Sequence, residues 1–325
     1  MRLLLRKYGI VLLMLLGGLS SLRGQINPTT AFYWENPYFI NPASVNLDYS
    51  GFFSLAARKQ WTGIRGTPLT FSGTGTYYFD SYNTQVGIKA LKDEIGYVST
   101  MDVALSYAYI LRLSWNSFLN MGLSGAYQVQ SIDKGEVTLE DMNDPIWSDS
   151  RLNGIKEWNA SLGVEYIFDK VLTLGLSSQN LLSFFKRDPF IWGGTNYMYA
   201  RYRTRSLGRG FDPGYYRTRS FPISFDMEYG VCLKHYKDDF QVDGMISFYI
   251  NRQSQEEMVQ LSLLGRSVGE IGILAGVKLI SDLKLLCSYD YNFKAVNGRS
   301  SGTFEIILTY PIRRNNICRS EWDMF

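Results

Sequence analysis

The sequence predicts an all-β fold, an antiparallel transmembrane β-barrel of 14 strands, and three observations predict it. From residue 51 onward, apolar and polar residues alternate with period two, the period of a strand whose two faces meet different surroundings. Most of the alternating runs are long enough for a tilted membrane crossing, about 9–11 residues. The chain also opens with an export-type leader: Arg2, Arg6 and Lys7, then the short apolar stretch Ile10 to Leu19, then small and polar residues to Gly24-Gln25.

Composition fits this reading. Of 325 residues, 46% are hydrophobic and 15% aromatic, with 23 Tyr, 19 Phe and 30 Gly. The mean hydropathy is nevertheless only −0.12, so the apolar residues are diluted by polar ones at close range. Tyr suits the lipid–water boundary, and Gly lets lumen-facing backbone pack closely. A soluble β-sandwich could share these values, because period two does not say whether the apolar face meets lipid or a core. Strand length and the leader favour the barrel. The net charge of +3 gives no reason to expect a nucleic-acid partner. Cys232, Cys287 and Cys318 form neither a metal-spaced set nor an even disulfide framework, and Cys232 and Cys287 are expected to pack as small apolar residues.

Residues 1–24 are read as a signal peptide, with a retained anchor as the alternative. Residues 25–50 follow as an N-terminal periplasmic or plug segment, 51–312 as the barrel and 313–325 as a tail. Within the barrel, Ser117–Ile132 places Leu119, Met121, Leu123, Tyr127 and Val129 on one face and Asn120, Ser124, Gln128 and Gln130 on the other. Trp158–Phe168 and Phe221–Lys234 repeat the split. Thirteen such runs are clear. Single-chain bacterial barrels use even numbers, and the fourteenth strand is expected at Thr195–Arg205, where Tyr197, Tyr199 and Tyr202 accompany Arg201, Arg203 and Arg205. An even count brings both ends of the chain to one side, expected to be periplasmic, together with tight turns such as Asp169-Lys170.

Two excursions interrupt the rhythm. Asp133–Glu157 is acidic and is expected to be an outer loop. Ser183–Ser220 carries seven Arg and one Lys against two Asp, interleaved with Trp192 and Tyr. Arginine binds carboxylate and phosphate bidentately, and Tyr gives contact area at low entropic cost. Arg201, Arg203, Arg205, Arg209, Tyr215 and Tyr216 are therefore candidate partner contacts, with a lumen role paired to Asp226, Glu228 or Asp243 held open beside that reading. Arg58 and Trp61 join the candidates, although an interfacial Trp anchoring a strand end is the ordinary explanation.

The string Asn41-Pro42-Ala43, then Ala57-Arg58-Lys59-Gln60-Trp61-Thr62-Gly63-Ile64, then Gly66-Thr67-Pro68-Leu69-Thr70-Phe71-Ser72, resembles the PorP/SprF family of the Bacteroidetes type IX secretion system. Lys92-Asp93-Glu94-Ile95-Gly96, Ser106–Leu113, Leu174–Leu182 and Ser288-Tyr289-Asp290-Tyr291 before Glu305–Tyr310 extend the likeness from about residue 30 to 312. The resemblance implies a fourteen-stranded outer-membrane barrel tied to type IX export. Such a barrel would touch outer-membrane lipid and type IX components, and would help export or hold a secreted adhesin with a sorting domain; some members serve gliding motility. It makes the loop Thr62–Pro68 a candidate contact as well. Two features depart from the family: the Arg/Tyr-rich segment 196–219, and a chain that continues past Tyr310 to Phe325.

Chemistry finds little to work with. His235 is the one histidine, expected at a strand end, and there is no H-E-x-x-H motif. Asp226 and Glu228 share the polar face with Lys234, the pattern of an ion-paired barrel interior. The expectation is a non-enzymatic barrel without cofactor or metal, working by protein–protein binding. The rival is a transport barrel for a small hydrophobic or ionic solute, which would show an open lumen or an apolar pocket; an outer-membrane hydrolase would need His235 beside a Ser or carboxylate.

Overall fold

The computed structural model describes residues 30–132, 154–185, 191–204, 223–237, 239–252, 256–279, 282–293 and 300–314. Fourteen strands close into one antiparallel barrel in which each strand pairs with its sequence neighbours and β14 returns to β1. In order these are β1 (Tyr49–Lys59), β2 (Leu69–Phe79), β3 (Thr84–Ile95), β4 (Val98–Ser114), β5 (Ser117–Ile132), β6 (Ile155–Phe168), β7 (Leu172–Gln179), β8 (Thr195–Arg203), β9 (Ile223–Tyr236), β10 (Asp239–Arg252), β11 (Glu256–Arg266), β12 (Glu270–Lys278), β13 (Lys284–Asn292) and β14 (Thr303–Arg313). Closure pairs every strand edge, which a sheet crossing hydrocarbon requires because lipid offers no hydrogen bonds to an open edge. Among the described residues, no helix is long and apolar enough to cross a membrane.

The two faces separate as the alternation predicts. On β5 and β6, Met121, Leu123, Leu162 and Val164 are exposed on the outside, while Asn120, Gln128, Ser161 and Glu165 are buried inside. The exterior is the apolar face, the inverse of a soluble sandwich. β14 is longer than its alternation suggests: it continues past Tyr310 through Pro311 to Arg313, held by pairing with β1. Cys232 is buried as expected, but Cys287 is exposed on the outer face, because alternation turns its neighbour Leu286 inward.

Strand direction sorts the connections onto two rims. One, here the terminal rim, carries the start of β1, the end of β14 and the turns at 80–83, 115–116 and 169–171. The opposite loop rim carries the connections 60–68, 133–154 and 180–194. The expected Ser183–Ser220 excursion is therefore two connections. β8 crosses the wall between them, sending 180–194 to the loop rim and 204–222 to the terminal rim. Asp169 and Lys170 make their tight turn with positive φ at both residues, each 53°.

Candidate functional site

The lumen is occupied by the chain's own N-terminal segment. One helical turn, Phe32–Glu35 (α1), is followed by a 3₁₀ turn, Pro37–Phe39, and the run from Thr30 through Val45 is buried except for partial exposure at Glu35, Pro37 and Ser44. Asn36 starts the second turn by accepting a hydrogen bond from the Tyr38 N–H. The apolar side chains Phe32, Tyr33, Trp34, Phe39 and Ile40 join Met245, Leu264, Leu274, Leu286 and Ile307 from the wall in one buried cluster. From the loop rim, Ile191 and Trp192 pack into the same cluster.

Polar contacts fix this plug from several sides. The Glu305 carboxylate on β14 accepts hydrogen bonds from Thr30 Oγ1, from Ala31 N at 2.8 Å and from Phe32 N at 3.2 Å. Tyr33 donates to Asp243 on β10 at 2.6 Å, and Glu35 pairs with Lys284 on β13 at 2.8 Å. Asn36 Nδ2 donates to Thr74 on β2 at 2.8 Å and to Ser54 on β1 at 3.2 Å. Tyr38 bonds Ser106 on β4 at 2.6 Å, and burial pushes its phenol up to about 12, so it remains protonated. Ser177 and Gln179 on β7 donate to the carbonyls of Ile40 and Phe39 at 2.7 and 2.9 Å.

The Asn41-Pro42-Ala43 string lies where the wall carries no side chains. Asn41 Oδ1 accepts from Ala43 N at 2.9 Å, closing the turn, while its Nδ2 donates to Val164 O and Tyr199 Oη at 3.2 and 3.1 Å. A Cβ on Gly163 would overlap Asn41 Oδ1, and one on Gly122 would lie 2.5 Å from Pro42 backbone atoms. Only glycine permits this approach. Tyr199 in turn donates to Glu165 at 2.5 Å, and the other Glu165 oxygen accepts from Val45 N at 3.2 Å. Beside Tyr38 and Pro42 a void of about 10 Å³ remains, roughly the room of one water.

The two carboxylates that hold α1 belong to one buried ion network. Arg58 bridges Asp290 and Glu305 at 2.9 and 3.0 Å, and Arg266 bridges Glu270 and Asp290 at 2.8 and 3.0 Å. Asp243 joins at 3.8 Å from Arg266 and pairs with Lys234 at 2.6 Å. A charge buried without a partner costs several kcal/mol, so such groups persist only as mutually satisfied sets. The plug touches both signs of that set, with Glu305 and Asp243 accepting its hydrogen bonds and the Lys234 ammonium lying over the Tyr33 ring at 4.5 Å.

Of the candidate contacts, Arg58 is buried and turned to the lumen, because alternation along β1 points Ser54, Ala56 and Arg58 inward. It is placed for the ion network rather than for a surface contact. Arg201 and Arg203 also face inward, pairing with Glu228 at 2.6 Å and with Glu257 at 2.6 Å, Arg203 having Asp226 at 3.4 Å as well. Trp61 lies half-buried in the β1–β2 loop with a φ of 48°, its backbone N–H donating to Thr303 Oγ1 at 3.3 Å. Arg205, Arg209, Tyr215 and Tyr216 lie outside the described residues. Of the four described candidates, Arg58, Arg201 and Arg203 face the lumen and Trp61 lies in the β1–β2 loop, so these four do not form one surface patch. Sequence reasoning missed Glu305, Glu165 and Tyr199, although Glu305 stands in the quoted β14 string; its signal was a carboxylate on a lumen face otherwise built from Thr and Ile.

His235 sits on the outer wall near the end of β9, 3.4 Å from the Asn196 amide and stacked on Phe240. Ser178 shares that face two strands away, roughly 10 Å at the usual strand spacing. Among the described residues, no group of acids, Cys and His gathers as a metal site.

Comparison with known proteins follows this geometry. No curated protein matches the sequence. Solved structures with a similar chain path include the outer membrane protein Omp33 of Acinetobacter baumannii, at 9% identity and a TM-score of 0.44, covering 82% of this chain and 100% of that one. The toluene transporter TodX of Pseudomonas putida matches at 6% identity and a TM-score of 0.43, covering 90% of this chain and 94% of that one. The family model described as "Type IX secretion system membrane protein PorP/SprF" matches residues 22–310. With most of its length inside that match, this chain belongs to the PorP/SprF family of type IX secretion system membrane proteins.

Proposed function

We propose that this outer-membrane barrel serves the type IX machinery as a non-enzymatic binding component that helps export or hold a partner surface adhesin. The observation that carries the reading is the filled lumen: α1 and the Asn41-Pro42-Ala43 turn occupy it, hydrogen-bonded from β14 to Glu305 and from β6 to Glu165. A lumen filled by the chain's own segment leaves no standing open path for a solute, which favours action by contact at the rims. In this reading the terminal rim faces the periplasm and its Arg/Tyr-rich β8–β9 connection meets type IX components, while the loop rim with Trp61 and the Thr62–Pro68 loop meets the adhesin. Export follows removal of residues 1–24.

The rival transport reading needs a path through the barrel or an apolar cavity reached from it. An apolar cavity of about 800 Å³ is present, but it opens on the outer wall and the sheet separates it from the lumen. Deleting the gene and surveying secreted and surface proteins tests the proposal. Loss of one large surface protein, restored by the wild-type gene, is the expected result. Unchanged surface proteins together with a lost solute uptake would reverse the assignment.

A further inference from the structure

Asp102 stands on the lumen face of β4 without a countercharge. It is 3% exposed, and its carboxylate's one hydrogen bond among the described residues, from the Gln128 amide on β5, is 3.4 Å long, against about 2.7–2.9 Å for a charge-assisted bond. Its Oδ1 has no hydrogen-bond partner, and among the described residues no ion pair reaches the carboxylate. Gln128 is fully buried, and its Oε1 is without a partner as well. Each of these oxygens shares a carbon with an atom of the 3.4 Å contact, so both border the same space. Both are acceptors, and what they lack is a positive group. A water would donate to them but leave the buried charge uncompensated, which is costly.

The surroundings favour a cation. Strand pairing sets Asp102, Gln128 and Glu157 side by side on β4, β5 and β6. On β2 to β7 the described lumen-facing acids are Asp93, Asp102, Glu157 and Glu165. The cations on that face are Lys89, whose ammonium lies over the Phe39 ring, and Arg112, exposed at the terminal rim. Acids of the opposite wall, such as Asp290, Glu228, Asp243 and Glu270, hold Arg or Lys partners. Asp102 and Gln128 lie four residues from the loop-rim ends of their strands, Val98 and Ile132, about 10 Å down a tilted wall. The loop rim is thus the near side for an entering ion. Gln128 also holds the β7–β8 connection: its Nε2 donates to Asn180 Oδ1 at 2.9 Å, Asn180 donates to Gly193 O at 3.3 Å, and Ser183 donates to Trp192 O at 3.0 Å.

We propose that this row is a binding site for one calcium ion, held by Asp102 Oδ1 and Gln128 Oε1, with Glu157 adding a second carboxylate beside them and waters completing the shell. Calcium accepts carboxylate, amide and water oxygens in irregular sets, whereas magnesium demands a near-ideal octahedron and zinc prefers nitrogen and sulfur. The ion supplies the charge that Asp102 lacks. By fixing Gln128 it also pins the Asn180 turn, and with it the connection that lays Ile191 and Trp192 on the plug. The site belongs to the barrel wall and does not depend on the secretion reading.

Isothermal titration with calcium chloride of the barrel purified from its own membrane, stripped with EDTA and held in detergent, tests the assignment. One ion per barrel is expected, with a dissociation constant of roughly 10⁻⁴–10⁻³ M, the range of exported calcium modules. Asp102→Asn keeps the side chain's shape, removes its charge and is expected to weaken binding at least tenfold. Unfolding temperature gives a second readout that a merely structural Asp102 would not move. Without calcium, Asp102→Asn is expected to match or exceed the wild type, and with excess calcium only the wild type gains. Asp282→Asn, at the terminal rim, leaves the calcium response intact. Should Asp102→Asn not assemble, the wild-type stoichiometry decides, one ion supporting the site and none overturning it. Uptake without saturation, equal binding by Asp102→Asn, or the same thermal gain from magnesium or sodium would each overturn the proposal.

Discussion

The Glu305 carboxylate on the last strand accepts a hydrogen bond from the Ala31 backbone N–H at 2.8 Å, joining residues 274 positions apart across the lumen. The same carboxylate neutralises Arg58 at 3.0 Å, so one side chain closes the barrel's ion network and anchors its plug.

Replacing Glu305 with Ala removes both roles. Arg58 keeps Asp290 but loses half of its compensation, and breaking a buried pair of this kind costs about 3–5 kcal/mol. Chemical unfolding in detergent micelles is expected to show a loss of that order. Limited proteolysis is expected to cut between residues 30 and 45 in the variant and spare the wild type; equal protection of both would remove Glu305 from its anchoring role.

Gly122→Val tests the seat of the Asn41-Pro42-Ala43 turn. The added Cβ meets Pro42 backbone at 2.5 Å, and backbone has no rotamer to yield with. Overpacking of this sort costs about 1–3 kcal/mol, and here moving the plug relieves it. A cysteine at Ala43 is expected to react with aqueous maleimide several-fold faster in the Gly122→Val background, read by mass shift.

Arg201 and Glu228 separate a structural pair from a partner contact. If their 2.6 Å ion pair is what Arg201 is for, Arg201→Glu destabilises the barrel and adding Glu228→Arg restores much of the loss. A double-mutant cycle on unfolding midpoints reads the coupling, expected at about 0.5–3 kcal/mol. A normal stability for Arg201→Glu alongside lost export would return Arg201 to the partner surface.

How much of this was legible in the sequence depends on the range of the interaction. Strands and faces were legible because period two is local: Met121 and Leu123 outward against Asn120 and Gln128 inward can be read within one segment. β8 was placed only because thirteen clear runs left one strand missing from an even-numbered barrel. The plug's path was not, since Phe32, Tyr33 and Trp34 show no periodicity and their partners lie on β10 and β14. Arg58, too, reads identically whether it faces a rim or a lumen, and what decides it is Asp290 and Glu305, supplied by other strands. The outer-wall cavity depends on the lateral register of seven strands, which no single segment encodes.

Asp282, in the turn between β12 and β13, gives the pH dependence. Hydrogen bonds from Arg313, and then Lys278, hold its carboxyl below the ordinary carboxylate range. A lowered folded value means that its contribution is present above about pH 4 and is lost as pH falls below it. The groups are partly exposed, so Asp282→Asn is expected to cost under about 1 kcal/mol at neutral pH. Unfolding midpoints of wild type and variant should differ at neutral pH and converge in strong acid; a gap that widens in acid would contradict the assignment.

Planar-bilayer recording tests the central claim, that the barrel is stopped by its own N-terminal segment. The mature wild-type barrel is expected to insert without steady ionic conductance, and a variant lacking residues 30–45 is expected to open a persistent channel. A wild-type barrel that conducts as well as the deletion variant would contradict the account.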